Sequence, residues 1–209
     1  MSDGEAILPS RATPEEVMAY MADRKVEIEA YLGEQVKEGN HPEVLKAIAY
    51  YPMAGGKRLR PVLTMAVAEA VSEGAGRRAM PFGCALELVH NFTLVHDDLM
   101  DEDSVRRGRP TQHMVWDTPT AINTGDIIFA LGFEVMTRTD ADDATVRTLV
   151  AEASRTVFEI GEGDQFSRSR IPGILIKILN RPNRNTGNEC NIEIKCPECS
   201  NQISVNWSR

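Results

Sequence analysis

Apolar residues recur along most of this chain at the three- and four-residue spacing of helices, and the breaks between the runs carry helix start and stop signals. Thr13-Pro14-Glu15-Glu16 predicts a helix start, with Thr as N-cap, Pro at the first position and Glu completing a capping box. That helix is predicted to run to about Lys37, with Val17, Met21, Ile28 and Leu32 on its apolar side, weakened by Gly33 and ended by Gly39-Asn40. Pro42 opens a second helix holding Val44, Leu45 and Ile48. Gly55-Gly56 breaks the pattern and Pro61 restarts it through Leu63, Val67 and Ala70. A loop is predicted over 72–78. Residues 79–100 read as a helix apolar on most sides, as in the middle of a bundle. A charged loop follows over 102–112. Then comes a helix over 120–136 interrupted by Gly125 and Gly132, and a last one from the Asp140–Asp143 cap to about Ile160. No strand alternation is evident before Gly161, so this part is predicted to be all-α.

Composition divides the chain. Residues 166–209 hold seven Lys or Arg against three Glu and no Asp, whereas residues 1–165 hold sixteen basic against twenty-eight acidic residues. All twenty alanines lie before the boundary and seven of ten asparagines after it. The expected organisation is a helical unit over 1–165 and an unrelated tail over 166–209, irregular or a β-hairpin. In the tail, Cys190, Cys196 and Cys199 could supply three ligands of a Zn²⁺ knuckle, against the alternative of reduced surface thiols, since no later His or Cys offers a fourth. The net charge of −8 argues against nucleic acid as a partner. The acidic, non-apolar start and the lack of any apolar run of membrane-spanning length predict no signal peptide and no membrane span. Four unevenly spaced cysteines predict a reduced, cytoplasmic protein.

The chemistry concentrates where the apolar helix over 79–100 runs into carboxylates and then arginines: His96-Asp97-Asp98-Leu99-Met100-Asp101, followed by Arg106-Arg107-Gly108-Arg109-Pro110-Thr111. On a helix, Asp97 and Asp101 share a face, and two like charges so placed repel unless a cation sits between them. Mg²⁺ is commonly held by one or two carboxylates with substrate phosphates completing its shell. The guanidinium groups of Arg106 and Arg107 suit bidentate contact with phosphate. Gly55-Gly56-Lys57-Arg58-Leu59-Arg60-Pro61 adds a second cationic cluster at a helix start, where glycines permit close backbone approach and anions are favoured. Lys57 and Arg60 can grip one phosphate group, so the two clusters together predict two diphosphates bound at once. By spacing alone, His90, seven residues before Asp97, reads as an ordinary helical histidine.

These two motifs, with Thr124-Gly125-Asp126 and Glu162-Gly163-Asp164-Gln165 in the same order, resemble the trans-polyprenyl diphosphate synthase family, most closely the archaeal geranylgeranyl and farnesyl diphosphate synthases. The resemblance covers roughly residues 14–165. It implies an isoprenoid-synthase-type helical bundle, here incomplete, a homodimer, and prenyl transfer from an allylic diphosphate to isopentenyl diphosphate with Mg²⁺. Lys57, Arg60 and His90, helped by Arg107, would bind isopentenyl diphosphate. Asp97 and Asp101, with Asp98 nearby, would hold Mg²⁺ on the allylic diphosphate, and Arg106 would contact that diphosphate. Phe92 and Thr93, below the first aspartate, would set product length and lean toward geranylgeranyl diphosphate. The helical azimuth agrees for Thr93 and disagrees for Phe92.

The family also carries a second aspartate-rich motif, and nothing after Asp164 in this chain is an aspartate. Low turnover is therefore expected from this polypeptide alone. Two other readings stand beside the enzyme. One is a non-catalytic diphosphate-binding or partner subunit of a full-length synthase. The other is a class I terpene cyclase, which Lys57 and Arg60 disfavour because a cyclase has no isopentenyl diphosphate to hold.

Overall fold

In a computed structural model of the chain, the described residues are 13–37, 41–166, 189–195 and 202–208, with residues 163–166 and the last two segments described as backbone only. Helix α1 spans Pro14–Gln35 and begins in the expected capping box: Thr13 Oγ1 accepts from the Glu16 N–H at 3.2 Å, and Glu16 Oε2 accepts from the Thr13 N–H at 2.7 Å. Gly33 lies inside α1 without breaking it. Helix α2 is Pro42–Tyr50 and α3 is Leu59–Val71. The stretch expected to be pure loop contains a four-residue turn, α4 (Ala75–Arg78), because the Glu69 carboxylate accepts from the N–H groups of Gly74 and Gly76 at 2.9 and 2.8 Å and folds the chain back.

The long apolar helix is α5, Met80–Met100. The charged stretch after it is more ordered than its composition predicts. Strands β1 (Val105–Arg106) and β2 (Arg109–Pro110) pair antiparallel, Arg106 opposite Arg109. Arg107 and Gly108 both have positive φ, 52° and 76°, the two-residue type I′ geometry whose twist matches a hairpin. A short α6 (Gln112–Val115) leads to α7 (Thr118–Thr137), capped by Asp117 accepting from the Thr120 N–H at 2.7 Å. Helix α8 runs Asp143–Phe166, capped by Asp142 on the Thr145 N–H and six residues longer than its apolar pattern predicts. In the tail, β3 (Glu189–Lys195) pairs antiparallel with β4 (Gln202–Ser208), the hairpin form of the expected alternatives. Cys196 and Cys199, and the side chain of Cys190, lie outside what is described, so the zinc expectation does too.

Helix α5 is central, with α7 and α3 packed along it. Gly125 and Gly132 do not interrupt α7; Gly132 lets it approach α5. A Cβ at Gly132 would lie 2.9 Å from Val89 Cγ2, and one at Gly83 of α5 would lie 2.7 Å from the Pro61 Cα of α3. The core between these helices holds Ile28, Leu32, Met65, Leu88, Ile128 and Met136, all essentially inaccessible to water. Each such side chain stabilises the fold by about 1.5–3 kcal/mol relative to leaving it exposed. Cys84 belongs to this core, its thiol pushed up to about 12 by burial first and Glu87 second, and so is unreactive. Among the described residues no helix is long and apolar enough to cross a membrane.

Candidate active site

One face of α5 carries Glu87, His90, Leu94, Asp97 and Asp101 at helical spacing, rising toward the C-terminal end of the helix. Asp97 is half-buried and Asp101 exposed. Asp98, close in helical azimuth to Glu87 and Leu94, is 1% exposed. Its Oδ1 accepts from Arg106 Nε at 2.6 Å and pairs with Nη2 of the same guanidinium, while Tyr51 Oη donates to Oδ2. Burial first, then the bond to Asp98, pushes the Tyr51 hydroxyl far above its usual range. The same carboxylate, through its hydrogen bond, holds the Arg106 guanidinium above its ordinary value. Asp98, expected near the metal, is thus committed to Arg106 and Tyr51, and Arg106 is tied to α5.

The hairpin brings the second arginine to the glycine loop. Arg107 Nη1 donates to the Gly55 carbonyl at 3.4 Å, and a Cβ on Gly56, whose φ is +142°, would sit 3.4 Å from that nitrogen. The two cationic motifs, some fifty residues apart in sequence, therefore meet. Tyr50 Oη donates to the Pro110 carbonyl at 2.8 Å, and the Arg109 guanidinium lies 4.4 Å over the Tyr50 ring. Between the loop, α5 and the hairpin is a cleft of about 60 Å³ lined by Tyr50, Tyr51, Asn91, Arg106, Arg107 and Arg109.

Lys57 is exposed at the mouth of the glycine loop. Its neighbour Arg58 is 2% exposed in the left-handed region, with φ 50°. Arg58 donates to the Pro52 carbonyl at 2.6 Å and lies 3.4 Å from Glu29 and 3.6 Å from Glu87. Glu87 also meets Arg60 at 3.5 Å. Burial lowers Arg60 below its ordinary value, Glu87 opposing. His90 is pushed down to about 3, by burial first and then by Arg60, Arg107 and Arg106. That influence places the imidazole among the arginines of both motifs, neutral at physiological pH. Spacing alone gave no reason to expect it there.

Phe92 faces α7, its ring 4.6 Å from Phe129 and 4.7 Å from His96. Thr93 is half-buried, its hydroxyl donating to the His90 carbonyl at 2.8 Å. Three site residues were missed by sequence reading: Tyr51, Glu87 and Arg58. Glu87 had a signal, being the one charged residue between Met80 and Val89, where a carboxylate needs a cation. Tyr51 had none, because its partner is forty-seven positions away.

The chemistry of these donors can be tested against Mg²⁺. Among the described residues no group of three or more His, Cys, Asp or Glu could hold a metal ion by itself. Asp97 and Asp101 are two hard oxygen donors one helical turn apart, flanking the Asp98 that holds Arg106, which fits an ion whose remaining ligands are water and phosphate.

An all-α fold with paired aspartates at the end of a central helix, and two arginine motifs converging beside them, defines the isoprenoid-synthase class of bundle. The family described as Polyprenyl synthetase matches residues 41–175, more than half of the chain, and the chain belongs to that family. It is 46% identical over 136 residues to a geranylgeranyl pyrophosphate synthase of Geoglobus acetivorans, covering 65% of this chain and 41% of that protein. It is 38% identical over 130 residues to a farnesyl diphosphate synthase of Bacillus subtilis, covering 61% of this chain and 44% of that protein. The crystal structure of a geranylgeranyl pyrophosphate synthetase from Pyrococcus horikoshii superposes with a TM-score of 0.68 at 34% identity, over 72% of this chain and 46% of that one. The chain spans about two fifths of the length of the curated relatives it matches.

Proposed function

We propose that this chain carries the substrate-gripping half of a Mg²⁺-dependent prenyltransferase that joins isopentenyl diphosphate to an allylic diphosphate. The observation that carries the reading is the meeting of Arg107 with the Gly55-Gly56 loop beside the Asp97/Asp101 face of α5. Lys57, Arg60 and Arg107 would grip the diphosphate of isopentenyl diphosphate, with neutral His90 available as a hydrogen-bond partner. Arg106, held by Asp98, would present its remaining N–H groups to the allylic diphosphate. Mg²⁺ on Asp97 and Asp101 would neutralise charge that builds on the departing pyrophosphate. The arginines serve the same end, being fixed in place before the charge develops. The allylic carbon–oxygen bond breaks, the isopentenyl double bond attacks the allylic carbon, and the released pyrophosphate takes the proton lost in forming the new double bond.

The product would be geranylgeranyl or farnesyl diphosphate, with Phe92 and Thr93 as the residues below Asp97 that bound the growing chain. A homodimer in the cytoplasm, with a compositionally distinct tail after about residue 165, completes the reading. A second reading is kept beside it: a diphosphate-binding subunit that works with a full-length synthase. Incubating the purified chain with labelled isopentenyl diphosphate, an allylic primer and Mg²⁺, alone and with a full-length synthase, separates the two. Product from the chain alone supports the enzyme. Binding without product, with a synthase retained on the chain, supports the subunit. Failure to bind either diphosphate refutes both.

A further inference from the structure

We propose that Tyr51 is a positioning residue for Arg106, acting through the buried carboxylate of Asp98. This rests on the diphosphate reading of the cleft. Arg106 sits on β1 of a two-residue strand pair, an element too short to hold a long side chain by itself. Its guanidinium is instead held from α5, where Nε and Nη2 both engage Asp98 Oδ1. The other carboxylate oxygen would be left in an apolar interior, since Asp98 is 1% exposed; Tyr51 supplies its donor. The Tyr51 hydroxyl is itself fixed, accepting from the Gln112 N–H at 3.4 Å, and Gln112 is anchored by donating to the Ala47 carbonyl at 3.0 Å.

The relay therefore links α2, α5, α6 and the hairpin: backbone of Gln112, hydroxyl of Tyr51, carboxylate of Asp98, guanidinium of Arg106. Its two ends have different surroundings. Asp98 and Tyr51 are buried, whereas Arg106 is about a third exposed and lines the cleft together with Tyr51 and Arg107. A guanidinium has five N–H donors. Asp98 occupies donors on Nε and Nη2, which fixes the plane of the fork and leaves the Nη1 edge to be offered to phosphate. Without Tyr51, the carboxylate is free to rotate toward another donor, and the fork turns with it.

The test is a double-mutant cycle read by calorimetric titration of inorganic pyrophosphate with Mg²⁺ into the full chain, below the unfolding midpoint of every variant. Tyr51→Phe, which keeps the ring, is expected to weaken pyrophosphate binding about five- to tenfold, a part of what one hydrogen bond to a charged group contributes. In an Arg106→Ala background the same change is expected to have less than about a twofold effect, since the group it orients is gone. A merely structural tyrosine would weaken binding equally in both backgrounds. Should Arg106→Ala not fold, the Arg106 Nε–H resonance of the wild-type chain gives the readout. It is expected to exchange slowly with solvent and to move on pyrophosphate addition, and to lose its protection in Tyr51→Phe. Wild-type binding with an unaffected Tyr51→Phe variant, equal losses in both backgrounds, or an unprotected wild-type resonance each overturn the role of Tyr51 while leaving the cleft's function standing. A wild-type chain that binds no pyrophosphate removes the function and this role with it.

Discussion

Acidification should destabilise this fold through His90. The group has a pKa of about 3 in the folded protein against 6.5 for the free side chain, burial being the main cause and Arg60, Arg107 and Arg106 adding to it. A histidine with a lowered folded value binds more protons when unfolded, so stability is lost as pH falls from about 6.5 toward 3. Between pH 7 and pH 5 the unfolded imidazole takes up its proton while the folded one stays neutral, and pH 5 lies about one and a half pH units below the unfolded value, which makes about 2 kcal/mol at 1.36 kcal/mol per pH unit. The assay is urea unfolding at the two pH values, for wild type and for His90→Gln, which keeps a polar side chain but cannot charge. Carboxylates also titrate in this range, so the quantity that matters is the difference between the two proteins' pH slopes. Wild type should lose about 2 kcal/mol more than His90→Gln. Equal slopes would refute the placement of a neutral His90 among three guanidiniums. Saturating pyrophosphate should shrink the difference, because an anion among the arginines offsets their repulsion of an imidazolium.

Other expectations follow from the same geometry. Replacing Arg107 by Asn puts a residue that tolerates positive φ at the first turn position, so the midpoint of thermal unfolding should hold or rise slightly while pyrophosphate affinity falls. Arg106→Ala strands a carboxylate that is 1% exposed and should cost about 3–5 kcal/mol in urea unfolding; a loss below about 1 kcal/mol would contradict the buried pair. Gly83→Ala forces a Cβ to within 2.7 Å of the Pro61 backbone, so α3 must move off α5, and a loss of about 1–3 kcal/mol is expected by the same assay.

Much of the helical frame was readable because its signals are local. The capping box at Thr13 and Asp142 before α8 act on N–H groups three residues away, and the structure has them bonded there. The glycines of α7 show where local reading stops. Helix propensity counts Gly125 and Gly132 as weak points, but their value lies in contacts with His96 and Val89 of another helix. The hairpin was hidden for a different reason. Strands of two residues carry no alternation, and Arg107-Gly108 is an uncommon pair for a turn that favours Asn-Gly. The charge pattern drew attention to this stretch without dividing its aspartates. Asp97, Asp98 and Asp101 look alike in a string, and only the packing of α5 against Tyr51 and the hairpin singles out Asp98 as the buried partner of Arg106. Glu87 could have been found, since a lone carboxylate in an apolar helix needs a cation; that it serves Arg58 and Arg60 together required the fold.

The central claim is that Asp97 and Asp101 and the converged arginine motifs form one anion site that works with Mg²⁺. Calorimetric titration of inorganic pyrophosphate into the full chain, with and without Mg²⁺ and with Asp97→Asn/Asp101→Asn alongside, tests it most directly. The account predicts binding that Mg²⁺ strengthens at least about tenfold in the wild type and leaves nearly unchanged in the double variant. Equal affinity with and without the metal in the wild type, or an undiminished metal effect in the double variant, would contradict it.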